Sequence, residues 1–137
     1  MKAITLYEPW ASLAALMEKE YETRSWSIRY RGTMAIHAGK REPKGYEFTD
    51  RINKALFSQG HYEMHLGSVI AIADLVDCIL MTPEFIASVS AKERAFGDWD
   101  EGRFAWKLAN VRRIDPVPAK GMQGLWNWDS PYLIKAG

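Results

Sequence analysis

The chain has 137 residues, of which 47% are hydrophobic, and a formal net charge of +1. That length fits one domain over residues 1–137 with a real core, and the near-zero charge excludes a protein that holds a polyanion through its overall field. Six tryptophans are the compositional exception: an indole pairs a large apolar body with an N–H that wants a partner, so it often sits where core meets polar ligand.

Cys78 is the only cysteine, so no disulfide forms within the chain, which suits a reducing cytoplasm. It lies in the apolar run 69–81 and reads as a small hydrophobe rather than a nucleophile. The N-terminus lacks the apolar core of a signal peptide. No segment has the ~20 apolar residues that span a bilayer. The expectation is a soluble, cytoplasmic protein with no membrane partner.

In chain order, residues 3–7 read as a first strand. Pro9 fits the first turn of a helix, and Trp10, Leu13, Ala14 and Met17 follow helical spacing on one apolar face. The next eight residues, 19–26, hold Lys19, Glu22, Arg24 and Trp26. A strand over 21–26 puts Glu22, Arg24 and Trp26 on one face. Two formal charges beside an indole suit a recognition surface or a small polar network better than a core strand.

Arg31-Gly32 signals a turn, residues 33–38 a strand carrying His37, and residues 39–45 a loop with Lys40, Arg41 and Lys44. Phe48, Ile52, Ala55 and Leu56 predict a second helix ending near Gly60. Residues 69–81 read as a central strand bent near Asp74 or Asp77. Thr82 and Pro83 are a helix cap and first position. Residues 103–111 alternate, with Phe104, Trp106 and Leu108 on one face. Pro116 and Pro118 limit strand pairing over 115–119. Residues 120–128 form the last ordered piece. The sum is α+β: a small mixed β-barrel of five to six strands flanked by two to three helices.

Several blocks then become familiar. Glu8-Pro9-Trp10-Ala11-Ser12, Lys19-x-x-Glu22-x-Arg24-x-Trp26, Tyr30-Arg31-Gly32 and Ile36-His37-Ala38 occur in that order. Phe96-Gly97-Asp98, Gly102-Arg103-Phe104-Ala105-Trp106, Gly121 and Gly124-Leu125-Trp126 follow. The set resembles the ASCH (activating signal cointegrator homology) family over essentially the whole chain. That resemblance implies a PUA-like barrel with a cleft whose rim carries the signature Gly-x-Lys-x-x-Glu-x-Arg, and RNA or a modified nucleoside as partner. One bacterial branch of the family is an N4-acetylcytidine amidohydrolase and another a metal-dependent ribonuclease. The family name also suggests a protein-interaction module linked to transcription.

Two departures stand out. Met17 occupies the place of the signature glycine, where a positive φ would be easy for Gly and costly for Met, so the helix exit is expected to differ locally. The amidohydrolase branch has a threonine nucleophile at the Glu22 position, which weakens the hydrolase reading here.

The ligand-binding candidates are therefore Lys19, Glu22, Arg24, Trp26, His37, Lys40 and Trp126. Under the enzyme alternative, Lys19 is a base or base-activator and Glu22 its electrostatic support. Trp10 and Trp106 read as core, and Trp126 or Trp128 as able to line the cleft mouth. Glu93, between Lys92 and Arg94, is a speculative second carboxylate in what is usually a solvated charge run. His61-x-Glu63-x-His65 has no standard zinc spacing. No cofactor is expected, a divalent metal entering only under the ribonuclease alternative.

Overall fold

The structure, a computed structural model, describes residues 1–60 and 63–131. The described strands are β1 (Lys2–Leu6), β2 (Tyr21–Arg24), β3 (Gly32–Ala38), β4 (Ser68–Leu80), β5 (Phe104–Pro118) and β6 (Leu125–Asn127). They form one sheet in the order β2-β5-β4-β3-β1-β6, curled into a half-barrel. The β1–β3 pair is parallel and the other pairs are antiparallel. Four short helices accompany the sheet: α1 (Trp10–Ala15), α2 (Asp50–Leu56), α3 (Pro83–Ser88) and α4 (Ala91–Ala95). The α+β barrel expectation holds, with one helix more than foreseen. None of the described helices is long and apolar enough to cross a membrane.

The two-residue alternation of the strands sorts the core into two faces. Ile4, Leu6, Met34, Ile36, Ala73, Leu75 and Trp106 pack on the concave side with Ala11, Ala14 and Ala15 of α1. The small alanines let the α1 backbone approach the sheet closely. Ala3, Ala35, Val69 and Ile72 face the other way, against Trp126 and Trp128. A third cluster joins Leu13 and Leu16 to Ile52 and Leu56 of α2 and to Phe96.

Helix α1 starts beside a buried carboxylate. Glu8 accepts hydrogen bonds from the Ser12 backbone N–H at 2.9 Å and from the Ser12 hydroxyl. The helix then ends in a Schellman motif. The Met17 N–H donates to the Ala14 carbonyl at 3.0 Å and the Glu18 N–H to the Leu13 carbonyl at 2.9 Å. Met17 takes φ +61°, the left-handed conformation. The expectation of a different exit is corrected: Met17 adopts the geometry a glycine would favour. Its side chain is 67% exposed and does not share the apolar face of α1.

Three further expectations change. Strand β2 ends at Arg24, so Trp26 lies beyond it in the following bend rather than in register with Glu22 and Arg24. Strand β5 runs through Pro116 to Pro118, paired with Val69 and Ser68 of β4. The prolines are tolerated because β2 pairs only with Phe104 to Lys107, leaving the far half of β5 as a sheet edge. The charge run around Glu93 is not wholly a solvated face: it is helical, with the Ser90 hydroxyl accepting from the Glu93 N–H at 3.1 Å, and Glu93 itself is buried. The β4 bend is present, as register shifts against β5 between Ile72 and Asp74 and between Leu75 and Asp77. Thr82 caps α3 with Pro83 in its first turn, as read from the sequence.

Candidate functional site

The tight exit of α1 delivers the chain directly into β2, so Lys19 is turned inward. Its side chain is only 2% exposed. Lys19 Nζ donates to the Tyr21 carbonyl and lies 3.5 Å from Glu22 Oε1. The other oxygen of Glu22, Oε2, accepts from Arg24 Nη2 at 3.0 Å. Glu22 and Arg24 share one face of β2, as period-two alternation requires. The three signature residues thus form one ion-paired chain.

Glu93 joins it from α4. Its carboxylate accepts from the Glu20 N–H at 2.8 Å and the Tyr21 N–H at 3.4 Å, pinning the start of β2. Burial pushes its pKa above the ordinary carboxylate value, opposed by those N–H donors and by the Lys19 charge. The sequence offered this residue as a solvated charge or a speculative carboxylate. It is a buried one, set beside the signature lysine.

Arg24 carries the network across the open side of the half-barrel. Strand β2 is one edge of the sheet and β1 is next to last at the other, its Thr5–Leu6 end beyond the pairing with β6, yet Arg24 Nη2 donates to the Thr5 carbonyl of β1 at 2.9 Å. Its Nε is buried with no hydrogen-bond partner among the described residues. The guanidinium carbon lies 6.0 Å from the centre of the Trp106 ring. Trp26 meets the same ring edge-on at 4.6 Å between centres, and the Trp106 indole N–H donates to the Trp26 carbonyl at 3.2 Å. Trp26 is 38% exposed, so the indole most open to solvent in the signature stretch stands over the same buried tryptophan as Arg24.

Thr5 is the hub that the sequence did not signal. Trp126 Nε1 lies 3.1 Å from its hydroxyl oxygen, which lies 3.1 Å from His37 Nδ1. His37 Nε2 lies 2.8 Å from the Ala119 carbonyl oxygen. Donor and acceptor chemistry fixes the two ends of this chain, and the lowered pKa of His37 favours a neutral ring between them. An indole N–H only donates and a carbonyl only accepts. So Trp126 donates to Thr5 and His37 Nε2–H donates to Ala119. With the imidazole neutral, its bare Nδ1 accepts from the Thr5 hydroxyl. Burial lowers its pKa, and the Lys40 charge adds to that, against the hydrogen bonds to Ala119 and Gly67. Gly121 lies against the pair: a Cβ there would sit 2.6 Å from His37 Cε1 and Thr5 Oγ1.

Of the seven sequence-predicted residues, Lys19, Glu22, Arg24, His37 and Trp126 are linked through Thr5 into one network of hydrogen bonds and ion pairs. Trp26 adjoins it through Trp106, and Lys40 through its field on His37. Thr5 was missed because threonine in a strand is unremarkable, and its partners come from distant parts of the chain. A separate groove of about 370 Å³ is lined by Ser12, Leu16, Ile70, Arg113 and Asp115 among others, and none of the signature residues lines it. Among the described residues no group of three metal-capable side chains converges. His61 of the His61-x-Glu63-x-His65 motif lies outside the described residues.

No protein-family model matches the chain, and no curated protein does. Solved structures do. The crystal structure of ASCH from Zymomonas mobilis is 17% identical, covers 85% of this chain and 72% of its own, and superposes with a TM-score of 0.55. The chain has an ASCH-like fold. A tyrosine-to-phenylalanine mutant of the Zymomonas mobilis protein matches at 17% identity and a TM-score of 0.55, with 74% of that chain covered. A serine-to-alanine mutant matches at 18% identity and a TM-score of 0.51, with 72% covered. Both cover 85% of this ASCH-like domain.

Proposed function

We propose that this ASCH-like domain binds RNA or a modified nucleoside at the opening between β2 and β1. The observation that carries the reading is the Arg24 guanidinium, held across that opening with its side chain 26% exposed and the half-open Trp26 indole over the same Trp106 ring. A guanidinium edge donates to a base carbonyl or a phosphate oxygen, and an indole stacks on a base. Lys19 and Glu22 hold Arg24 in place, His37 and Trp126 hold Thr5, and Lys40 adds a positive charge near the rim.

A nucleoside amide hydrolase or a metal-dependent ribonuclease is the second reading. It draws on the Lys19–Glu22–Glu93 cluster, where a buried lysine stands beside two carboxylates. One feature weighs for binding over catalysis: substrate would have to reach an ammonium group that is 2% exposed. A role as a protein-interaction module draws on no contact in the site.

Equilibrium titration of short RNAs and of free modified nucleosides tests the proposal. Wild type should bind saturably, and Arg24→Met, folded by circular dichroism, should bind about 10- to 150-fold more weakly, as the loss of a charged hydrogen bond implies. No binding of any of them by folded wild type would refute it.

A further inference from the structure

The loop after β3 holds a second structure of defined geometry. Arg41 Nη1 and Nη2 donate to Glu47 Oε1 and Oε2, both at 3.0 Å. Glu47 is fixed in turn by the Lys44 N–H at 2.7 Å. The Arg41 guanidinium carbon lies 4.4 Å from the centre of the Tyr7 ring. Tyr7 is seated on Gly39, where a Cβ would come within 3.0 Å of Tyr7 Cδ1 and 3.3 Å of Thr5 Cγ2. The guanidinium is thus locked flat by a two-point ion pair and supported on one side by an aromatic ring. Its side chain remains 31% exposed.

The pair is part-buried, with Glu47 11% exposed, and its two-point geometry both reinforces the loop and immobilises the guanidinium. A flat, immobilised guanidinium plane is what an unstacked nucleobase uses as a stacking surface. Tyr7 and Thr5 are two residues apart on the same face of the β1 end, and both touch the Gly39 position. Tyr7, which supports the plane, thus follows two residues after Thr5, which anchors Arg24.

We propose that Tyr7, Arg41 and Glu47 form a stacking platform for a second base, flanking the nucleoside held at Arg24 and Trp26. The inference rests on the cleft reading above and extends it. The ligand is a single strand of at least two nucleotides, and a free nucleoside fills only half the site.

The test compares a free nucleoside with single-stranded di- and trinucleotides carrying the same base, by fluorescence titration of wild type, Arg41→Lys and Glu47→Gln. Arg41→Lys keeps the charge and removes the plane; Glu47→Gln removes the two-point lock. The oligonucleotides should bind wild type about 5- to 150-fold more tightly than the nucleoside, the gain expected from one stacked base. Both variants should lose that gain while binding the nucleoside as wild type does. Equal affinity for nucleoside and oligonucleotide, or an unchanged gain in Arg41→Lys, overturns the platform and leaves the cleft reading standing. An Arg41-dependent oligonucleotide affinity without nucleoside binding supports the platform and overturns the cleft. Equal competition by an acidic peptide would reduce the platform to plain charge and refute it.

Discussion

Arg24 and Thr5 face each other across the open side of the half-barrel, and the 2.9 Å hydrogen bond from guanidinium to carbonyl is a side-chain link where no strand pairing exists. Arg24 also neutralises Glu22, whose side chain is 11% exposed. Arg24→Met removes both. We expect a loss of about 1.5–3 kcal/mol, the range for a hydrogen bond to a charged group. Urea unfolding at neutral pH checks it, and a change within experimental error would show that the link is incidental.

Met17 pays a backbone penalty that glycine avoids. A non-glycine residue in the left-handed region costs about 1–2 kcal/mol, and Met17 sits there with an exposed side chain that packs little. Met17→Gly should stabilise the domain by about 1 kcal/mol after the entropy glycine adds to the unfolded chain. The prediction is a higher denaturation midpoint with unchanged ligand affinity.

Gly121 touches the Thr5–His37 pair without a side chain. A methyl group there meets His37 Cε1 at 2.6 Å, closer than packed atoms tolerate. Gly121→Ala should cost about 1–3 kcal/mol, as overpacking does, with altered fluorescence from the linked Trp126. Thermal melts and emission spectra together check it.

His37 gives the domain a pH signature. Its pKa in the folded state is lowered, chiefly by burial. Below about pH 6.5 the unfolded chain takes up a proton that the folded chain resists, so the unfolded state binds more protons and stability falls with pH. The loss begins as pH drops through about 6.5 and stops below the lowered folded value. At neutral pH the contribution is intact. The difference in urea stability between wild type and His37→Gln, followed from pH 7.5 to pH 5, isolates this group. A pH-independent difference would contradict the neutral, buried imidazole.

How much was legible in the sequence follows from how local each signal was. The helix cap at Thr82, the alternation of Phe104, Trp106 and Leu108, and the Glu22–Arg24 face are encoded within a few residues, and they appear as expected. Met17 shows the limit of local rules: the Schellman hydrogen bonds to Leu13 and Ala14 and the burial of Lys19 hold it in a conformation its own preference opposes. Pro116 and Pro118 misled because a proline reports only that an N–H is missing, and an edge strand does not need it. Thr5 was silent, and Glu93 showed only as a speculative carboxylate, for a different reason. Each acts through partners more than 30 residues away, Thr5 through His37 and Trp126, Glu93 through Glu20 and Tyr21.

The most direct test of the central claim is to watch the indole N–H signals of the six tryptophans by two-dimensional NMR while a nucleoside or short RNA is added. Trp26→Phe and Trp126→Phe would assign two of them. The account predicts that the Trp26 signal shifts saturably, with a smaller change at Trp126 through Thr5, while Trp10, packed against the α1–α2 cluster, stays still. Saturable shifts confined to tryptophans remote from Arg24, with Trp26 unmoved, would contradict it.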